Sequence, residues 1–290
     1  MTTLAPQKAG SGITAGRAVG AGYFVSRAAI CLLLILTFYP LYQLVNMSMK
    51  SNLMIKMDFL SLPASVRLEN FISAWAFVRR PILNSFFVCA VSLAVILLIV
   101  SMTGFAFGRM EFAGKKFFFA AILAVLMIPY TLLLVPNYQI VRRMGLLNNY
   151  LALILPYISG QQIFGIVLTR TFFASLPQEL FDSAKIDGAG EMQSYFRIGL
   201  PLSVPTLITV GVTCVVAMYN DYIWPTVVMT TGDNMKTFCQ IVFNTATGKG
   251  SSDLGLMAAA FVIGTIPLVA VTGSCLKYYM KGLLEGAIKI

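Results

Sequence analysis

Histidine is absent from the 290-residue sequence, which removes the commonest general base and the commonest zinc ligand. Charge is scarce too, with 11% Asp, Glu, Lys and Arg against about 25% in soluble globular domains. Hydrophobic residues make up 58% and the mean hydropathy is +0.82. That leaves too little polar surface to cover a water-facing fold, so the chain belongs in a membrane. The five cysteines are Cys31, Cys89, Cys214, Cys239 and Cys275; four lie in apolar runs, where a thiol acts as a small hydrophobe. Their odd number and the lack of C-x-x-C or Cys/His spacing argue against a disulfide framework or a metal site.

Acidic residues are the rarer charge, 11 against 21 Lys and Arg, for a formal net charge of +10. Such an excess points to nucleic acid or to an anionic membrane surface. A nucleic-acid face needs its cations gathered on one soluble domain. None exists here, so the charges are read as flanks of membrane helices and no nucleic-acid partner is expected.

A membrane helix needs about 20 apolar residues. Six charge-free stretches are long enough: 28–49, 81–108, 117–141, 144–169, 198–220 and 254–276. The fold class is therefore all-α, a polytopic bundle of six transmembrane helices, with spans expected at about 28–49, 82–104, 117–138, 149–169, 201–220 and 255–276. Residues 1–27, rich in Gly, Ala, Thr and Ser, read as a mostly disordered cytoplasmic tail ahead of a domain over 28–290. Six spans put both termini on one side. A cytoplasmic N-terminus agrees with the positive-inside rule, but the bias is small, and Arg79, Arg80, Arg142 and Arg143 fall outside. Prolines at 40, 129, 136, 156, 205 and 267 suggest kinks, and Gly160, Gly165, Gly211 and Gly264 suggest close helix contacts.

No ionisable residue lies within the spans, which weakens an ion-coupled carrier without eliminating it. No G-x-x-x-x-G-K-[ST] phosphate cradle is present, so any ATP-driven transport needs an ATPase on another chain. H-E-x-x-H is impossible without histidine and no G-x-S-x-G elbow occurs. The chain is not expected to be an enzyme, and no catalytic or metal-binding residue is assigned.

Residues 170–200 hold 7 of the charges, between Arg170 and Arg197. The local signals there describe a helix-turn-helix. Ser175 is placed as first cap, with Pro177 in the first turn and Gln178 at the capping-box position. Gly188 stops that helix after Asp187. The second helix passes through Glu191 and Phe196 until Pro201 and Pro205 bend it or start the next span. Leu176, Leu180 and Ala184 form a stripe at spacing four that must be buried against the bundle or a partner.

The run Asp182-Ser183-Ala184-Lys185-Ile186-Asp187-Gly188-Ala189, followed by Phe196 and the Leu200–Pro205 exit, resembles the signature cytoplasmic loop of binding-protein-dependent ABC importer permeases. Further matching pieces are Asn84-Ser85, Gly145-Leu146-Leu147-Asn148, Asn220-Asp221-Tyr222 with Trp224-Pro225, and the tail from Lys281 to Lys289. Together these are similar to the smaller permease subunit of carbohydrate importers of the maltose type. Asp182 stands where the family usually has Glu, and Ser183 where it has Ala. Charge and small size are kept while the carboxylate's reach shortens.

The resemblance implies a coupling loop over 170–200, carried by Asp182, Ser183, Ala184, Asp187, Gly188, Ala189 and Phe196, that meets a cytoplasmic ATPase and fixes both termini as cytoplasmic. It implies a bacterial inner-membrane heterodimer with a second permease subunit, two ATP-binding subunits and an extracytoplasmic sugar-binding protein. Membrane lipid surrounds the assembly. No cofactor is bound by this chain; ATP and Mg belong to the partner ATPase. The 221–256 segment, with Trp224, Asp233, Lys236 and Asp253, is expected to reach the binding protein, and the 281–290 tail to touch the ATPase pair. Candidates for the sugar path by residue type are Tyr130, Asn137, Tyr157, Gln161, Gln162, Tyr219 and Asn220. A self-contained secondary sugar carrier and a transport-inactive membrane scaffold remain the alternatives.

Overall fold

The computed structural model describes residues 14–63, 65–248 and 253–287, with side chains between residues 22 and 278. The first helix, α1, spans Thr14–Ser48. It starts well ahead of the expected span: the proline-free segment 14–27 is helical rather than a disordered tail, because extending an existing helix adds one hydrogen bond per residue fixed. Residues 1–13 lie outside the described part. A short α2 (Asn52–Met57) follows, its Ser51 cap accepting the amide of Met54 at 3.3 Å.

The next helix, α3 (Leu68–Arg109), has 42 residues. At 1.5 Å per residue it is about 63 Å long, roughly twice a hydrocarbon core. It therefore extends beyond the expected 82–104 span, and Glu69, Arg79 and Arg80 sit in that extension. The expected 117–138 span is instead broken into α4 (Lys115–Leu126) and, after a 3-10 turn at Tyr130–Leu133, α5 (Leu134–Arg143). The two halves meet at 91°. Pro129 causes the break, since it disfavours helical backbone at Ile128 and itself takes ψ of 131°.

Then come α6 (Leu151–Ser175), α7 (Glu179–Ile186) and α8 (Glu191–Ser194), the last running through a π-helical turn at Tyr195–Gly199 into α9 (Leu200–Asn220). Pro201 stands in the first turn of α9, as expected of a proline that starts the span. The wide turn falls where its ring would otherwise press on the carbonyl of Arg197, four residues back. Two short helices, α10 (Ile223–Val228) and α11 (Phe238–Thr247), precede α12 (Leu254–Ala287). Among the described residues five helices are long and apolar enough to cross a membrane, or six if the bent α4/α5 pair is one crossing. No strand occurs among them.

The long α3 is the hub, packed against α6, α9 and α12. Its closest approach to α6 is a G-x-x-x-G pair: a Cβ on Gly104 would lie 2.1 Å from Thr169 Oγ1, and one on Gly108 would lie 2.7 Å from Phe173 Cβ. Of the four glycines expected to give close contacts, Gly165 and Gly264 do so, against Val100 and Phe238. Gly160 faces open space and Gly211 makes ordinary contact only. At the start of α3, Asn70 donates to the carbonyls of Ser48 and Lys50 at 2.9 Å each. The buried Lys50 ammonium donates to the carbonyls of Asp58 and Phe59, which closes the α1–α3 connection without a carboxylate. By contrast, only 6% of the apolar part of α1 is buried, so lipid or another protein must cover it.

Candidate functional site

One end of the bundle is built around α7. Ser175 does not cap this helix: it ends α6, its Oγ donating to the Phe172 carbonyl at 2.8 Å. Gln178 takes the cap position without capping an amide through its side chain. Its Nε2 donates to Asp182 Oδ1 at 3.0 Å, and its Oε1 accepts from Arg109 at 2.8 Å. Arg109 also donates to the Leu176 carbonyl and lies 4.5 Å from the Phe181 ring centroid.

Phe181 is the anchor. It is 4% exposed and joins Phe105, Phe173 and Tyr195, whose rings come from α3, α6 and the π turn. Tyr195 is fixed in turn by a 2.8 Å hydrogen bond with Ser101. Of the expected Leu176–Leu180–Ala184 stripe, Leu176 packs on this cluster and Ala184 is half-buried, but Leu180 is not part of the buried face. Leu180 is 42% exposed and Ile186 is 87% exposed, because the bulky ring at 181, not the leucine beside it, fills the notch between α3 and α6. Phe196, expected in the coupling set, is exposed while its neighbour Tyr195 carries the packing.

The far end of α7 closes as a Schellman motif. Gly188 has φ of +81°; its N–H donates to the Lys185 carbonyl and the Ala189 N–H to that of Ala184, at 3.0 and 2.9 Å. Asp182, Ser183, Asp187 and Gly188 are exposed, and Ala184 and Ala189 half-buried. A surface ion pair, Lys185–Glu191 at 3.0 Å, spans the turn and contributes at most about 1 kcal/mol. The result is a rigid knuckle, locked to three helices by one ring and presenting Ile186 and Asp187 outward. Phe181→Ala should therefore cost about 3 kcal/mol and lower the melting temperature while every exposed loop residue keeps its type. Thermal melts of the purified protein check this; a melting temperature equal to the parent's would contradict it.

At the other end, the 221–248 segment is folded onto the bundle. Trp224 is fully buried and its indole donates to the Ala152 carbonyl at 2.9 Å. It holds α10 down and is not free to reach a partner. Asn84 donates to the carbonyls of Asn234 and Lys236, Ser85 accepts the Phe238 amide, and Asn148, at φ of 59°, accepts the amides of Thr230 and Thr231. The scattered Asn84-Ser85, Asn148 and Trp224-Pro225 pieces therefore share one task, clamping this cap. Its exposed tip is 230–235, which includes Asp233 but not Trp224. Residues 249–252, and the side chains of the 281–290 tail, lie outside the described part.

Below the cap opens a cleft of about 420 Å³ lined by Tyr130, Tyr157, Gln161, Asn220, Asp221 and Tyr222, among others. Four of the sequence-chosen path residues thus meet in one place. Three do not line it: Tyr219 is 2% exposed with its hydroxyl donating to the Gly264 carbonyl at 2.7 Å, and Asn137 on α5 and Gln162 on α6 lie outside the lining. Asp221, not chosen from sequence, anchors the cleft. Its Oδ1 accepts the amides of Ile223 and Trp224, and its Oδ2 accepts the Tyr157 hydroxyl at 3.0 Å. Its place immediately after the fifth apolar run was the available signal.

Burial pushes the Asp221 carboxyl above the ordinary aspartate range, although hydrogen bonds from Trp224, Tyr157 and Ile223 pull it down. A raised folded-state value means that the stability contribution is fully present below the unfolded value and is lost as pH rises through the folded one. Asp221→Asn, which removes the charge and keeps the amide acceptor, should raise the melting temperature relative to the parent more at pH 7 than at pH 4. Melting curves at both values check the sign.

Residues 101–283 match the family described as binding-protein-dependent transport system inner membrane component. The chain belongs to that family. This permease is 33% identical over 259 residues to the probable ABC transporter permease protein YurM of Bacillus subtilis, covering 89% of this chain and 86% of that one. It is 30% identical over 259 residues to the arabinooligosaccharides transport system permease protein AraQ of Halalkalibacterium halodurans, covering 87% and 91%. Its fold is similar to a chain in the crystal structure of a bacterial ABC transporter involved in the import of the acidic polysaccharide alginate, with a TM-score of 0.79 at 19% identity over 93% of this chain and 100% of that one. It is a multi-pass inner-membrane protein of the ABC importer permease type.

Proposed function

We propose that this permease is one of two membrane subunits of an ATP-driven importer that takes up a carbohydrate, delivered by an extracytoplasmic binding protein and moved by two cytoplasmic ATP-binding subunits. The observation that carries the proposal is the α7 knuckle: an exposed Ile186–Asp187–Gly188 turn rigidly tied through Phe181 to α3, α6 and the π turn entering α9. A push on that turn is delivered to the helices that line the cleft. The largely uncovered α1 supports a second membrane subunit as its cover. The carbohydrate class follows from relatives such as the arabinooligosaccharide permease.

In this reading the knuckle faces the cytoplasm, as do both termini, and the cap over 221–248 faces outward with its 230–235 tip toward the binding protein. The permease holds no cofactor; ATP and Mg act on the partner subunits, and this chain supplies neither nucleotide contacts nor catalysis. Tyr130, Tyr157, Gln161 and Asn220 offer the aromatic faces and amides that a sugar needs along its path.

Proteoliposomes holding the permease with its partner subunits test the proposal. Uptake should require both ATP hydrolysis and the loaded binding protein. Uptake by this chain alone, driven by an ion gradient, would overturn it in favour of a secondary carrier.

A further inference from the structure

A second cavity, of about 630 Å³, opens at the α7 end of the bundle and shares no lining residue with the cleft or with α7 itself. It falls within the ordinary size range of ligand pockets. Its mouth is cationic. Lys115, Lys116 and Arg170 line it together with the single acid Glu111. Glu111 is spent on Lys115, at 2.9 Å, and its side chain is 89% exposed. Lys115 also donates to the Met110 carbonyl. Among the described residues neither Lys116 nor Arg170 has a carboxylate within ion-pair distance, so the mouth keeps an uncompensated charge of two. Arg170 is held over the Phe119 ring at 4.2 Å, which fixes its guanidinium at the edge of the cavity.

The opposite end is apolar. Phe119 and Leu123 follow along α4, and Leu123 lies about 12 Å beyond Lys115 at the helical rise. Phe107 packs on both Phe112 and Phe119 to form the back wall. The hydrogen bonds of Arg109 to Gln178 and Leu176 put this mouth at the same end of the bundle as α7, and α4 enters the membrane from there. Charge at the mouth, grease one to two turns deeper and a location at the bilayer boundary describe a receptor for an amphiphile. A free anion or a soluble acidic peptide would use the cations and leave the apolar wall unmatched.

We propose that this cavity binds an anionic phospholipid of the inner leaflet, its phosphate between Lys116 and Arg170 and its first acyl carbons along Phe119 and Leu123. Basic pockets between membrane helices on the cytoplasmic side are suited to such headgroups. Occupancy would brace α4 against α6 beside the start of the coupling loop.

The test uses the complete importer purified in detergent, titrated with dioctanoyl phosphatidylglycerol, dioctanoyl phosphatidylcholine or inorganic phosphate and read by native mass spectrometry of the permease subunit. Phosphatidylglycerol should bind in preference to phosphatidylcholine, and inorganic phosphate should not displace it. Lys116→Gln and Arg170→Gln should each weaken phosphatidylglycerol about fivefold, and the pair more than tenfold. Lys236→Gln, at the other end, should leave binding unchanged. Equal binding of the two lipids, displacement by inorganic phosphate, or a double variant that binds like the parent would overturn the proposal. Lys116 is exposed, so Lys116→Gln keeps the test decisive even if loss of the Arg170–Phe119 contact prevents assembly.

Discussion

Gly188→Val is expected to reduce uptake to background and to abolish the stimulation of ATP hydrolysis by loaded binding protein, in a transporter that still assembles. The residue sits at φ of +81°, a region that costs an L side chain on the order of 1–2 kcal/mol and a β-branched one more. Relieving that strain means giving up the paired bonds from Gly188 to Lys185 and from Ala189 to Ala184, which shape the turn that displays Asp187. The effect on stability is small because the turn is at the surface, and the effect on coupling is large because, in the proposed function, the turn is the contact with the ATPase. Gly188→Asn should retain part of the activity, since Asn visits the left-handed region. Asp187→Lys should lose coupling with the backbone unchanged. Size-exclusion recovery of the assembled complex separates lost coupling from lost assembly. Wild-type uptake by Gly188→Val would show that the shape of this turn does not matter.

Gly104→Val is expected to leave little assembled transporter. Even a single Cβ at this position meets Thr169 Oγ1 at 2.1 Å and the Arg170 amide nitrogen at 3.1 Å, and backbone cannot yield as a flexible side chain does. Thr169 Oγ1 is already engaged with the Val100 carbonyl across the interface at 3.0 Å and with Gly165 within its own helix at 2.8 Å. Forcing α3 from α6 therefore opens a tightly packed crossing of the bundle, at a cost of about 3 kcal/mol or more. Gly104→Ala should lower the melting temperature even though alanine is the better helix former by about 1 kcal/mol. Adding Thr169→Gly, which removes the colliding atoms, should recover part of the loss. A melting temperature for Gly104→Ala equal to or above the parent would contradict this account.

Both positions were open to sequence reasoning in different degrees. Gly188 was legible, because Asp-Gly after a short amphipathic run is a helix stop whatever surrounds it. Gly104 and Gly108 are spaced as a G-x-x-x-G pair but were not among the four glycines expected to give close contacts, and spacing alone does not say which helix fills the groove. Phe181 was not legible. The spacing of Leu176, Leu180 and Ala184 gave an equally periodic stripe, and the choice between the two faces depends on the notch that α3 and α6 leave. Asp221 was visible only as the charge ending an apolar run; its bond to Tyr157 joins residues 64 apart in the chain.

The sequence by itself determined that this protein is a helical membrane protein with a polar knuckle on one side, and its resemblance to importer permeases pointed to the family. Hydropathy, the placement of charge and local cap chemistry act over one helix or less, and each carries its information in adjacent residues. Tertiary structure alone decided the 91° angle at the Pro129 break, the burial of Trp224 in place of an exposed loop, the Phe181 anchor, and the meeting of Lys116 with Arg170. Those depend on which helix faces which and at what distance, quantities fixed by packing of side chains far apart in the chain.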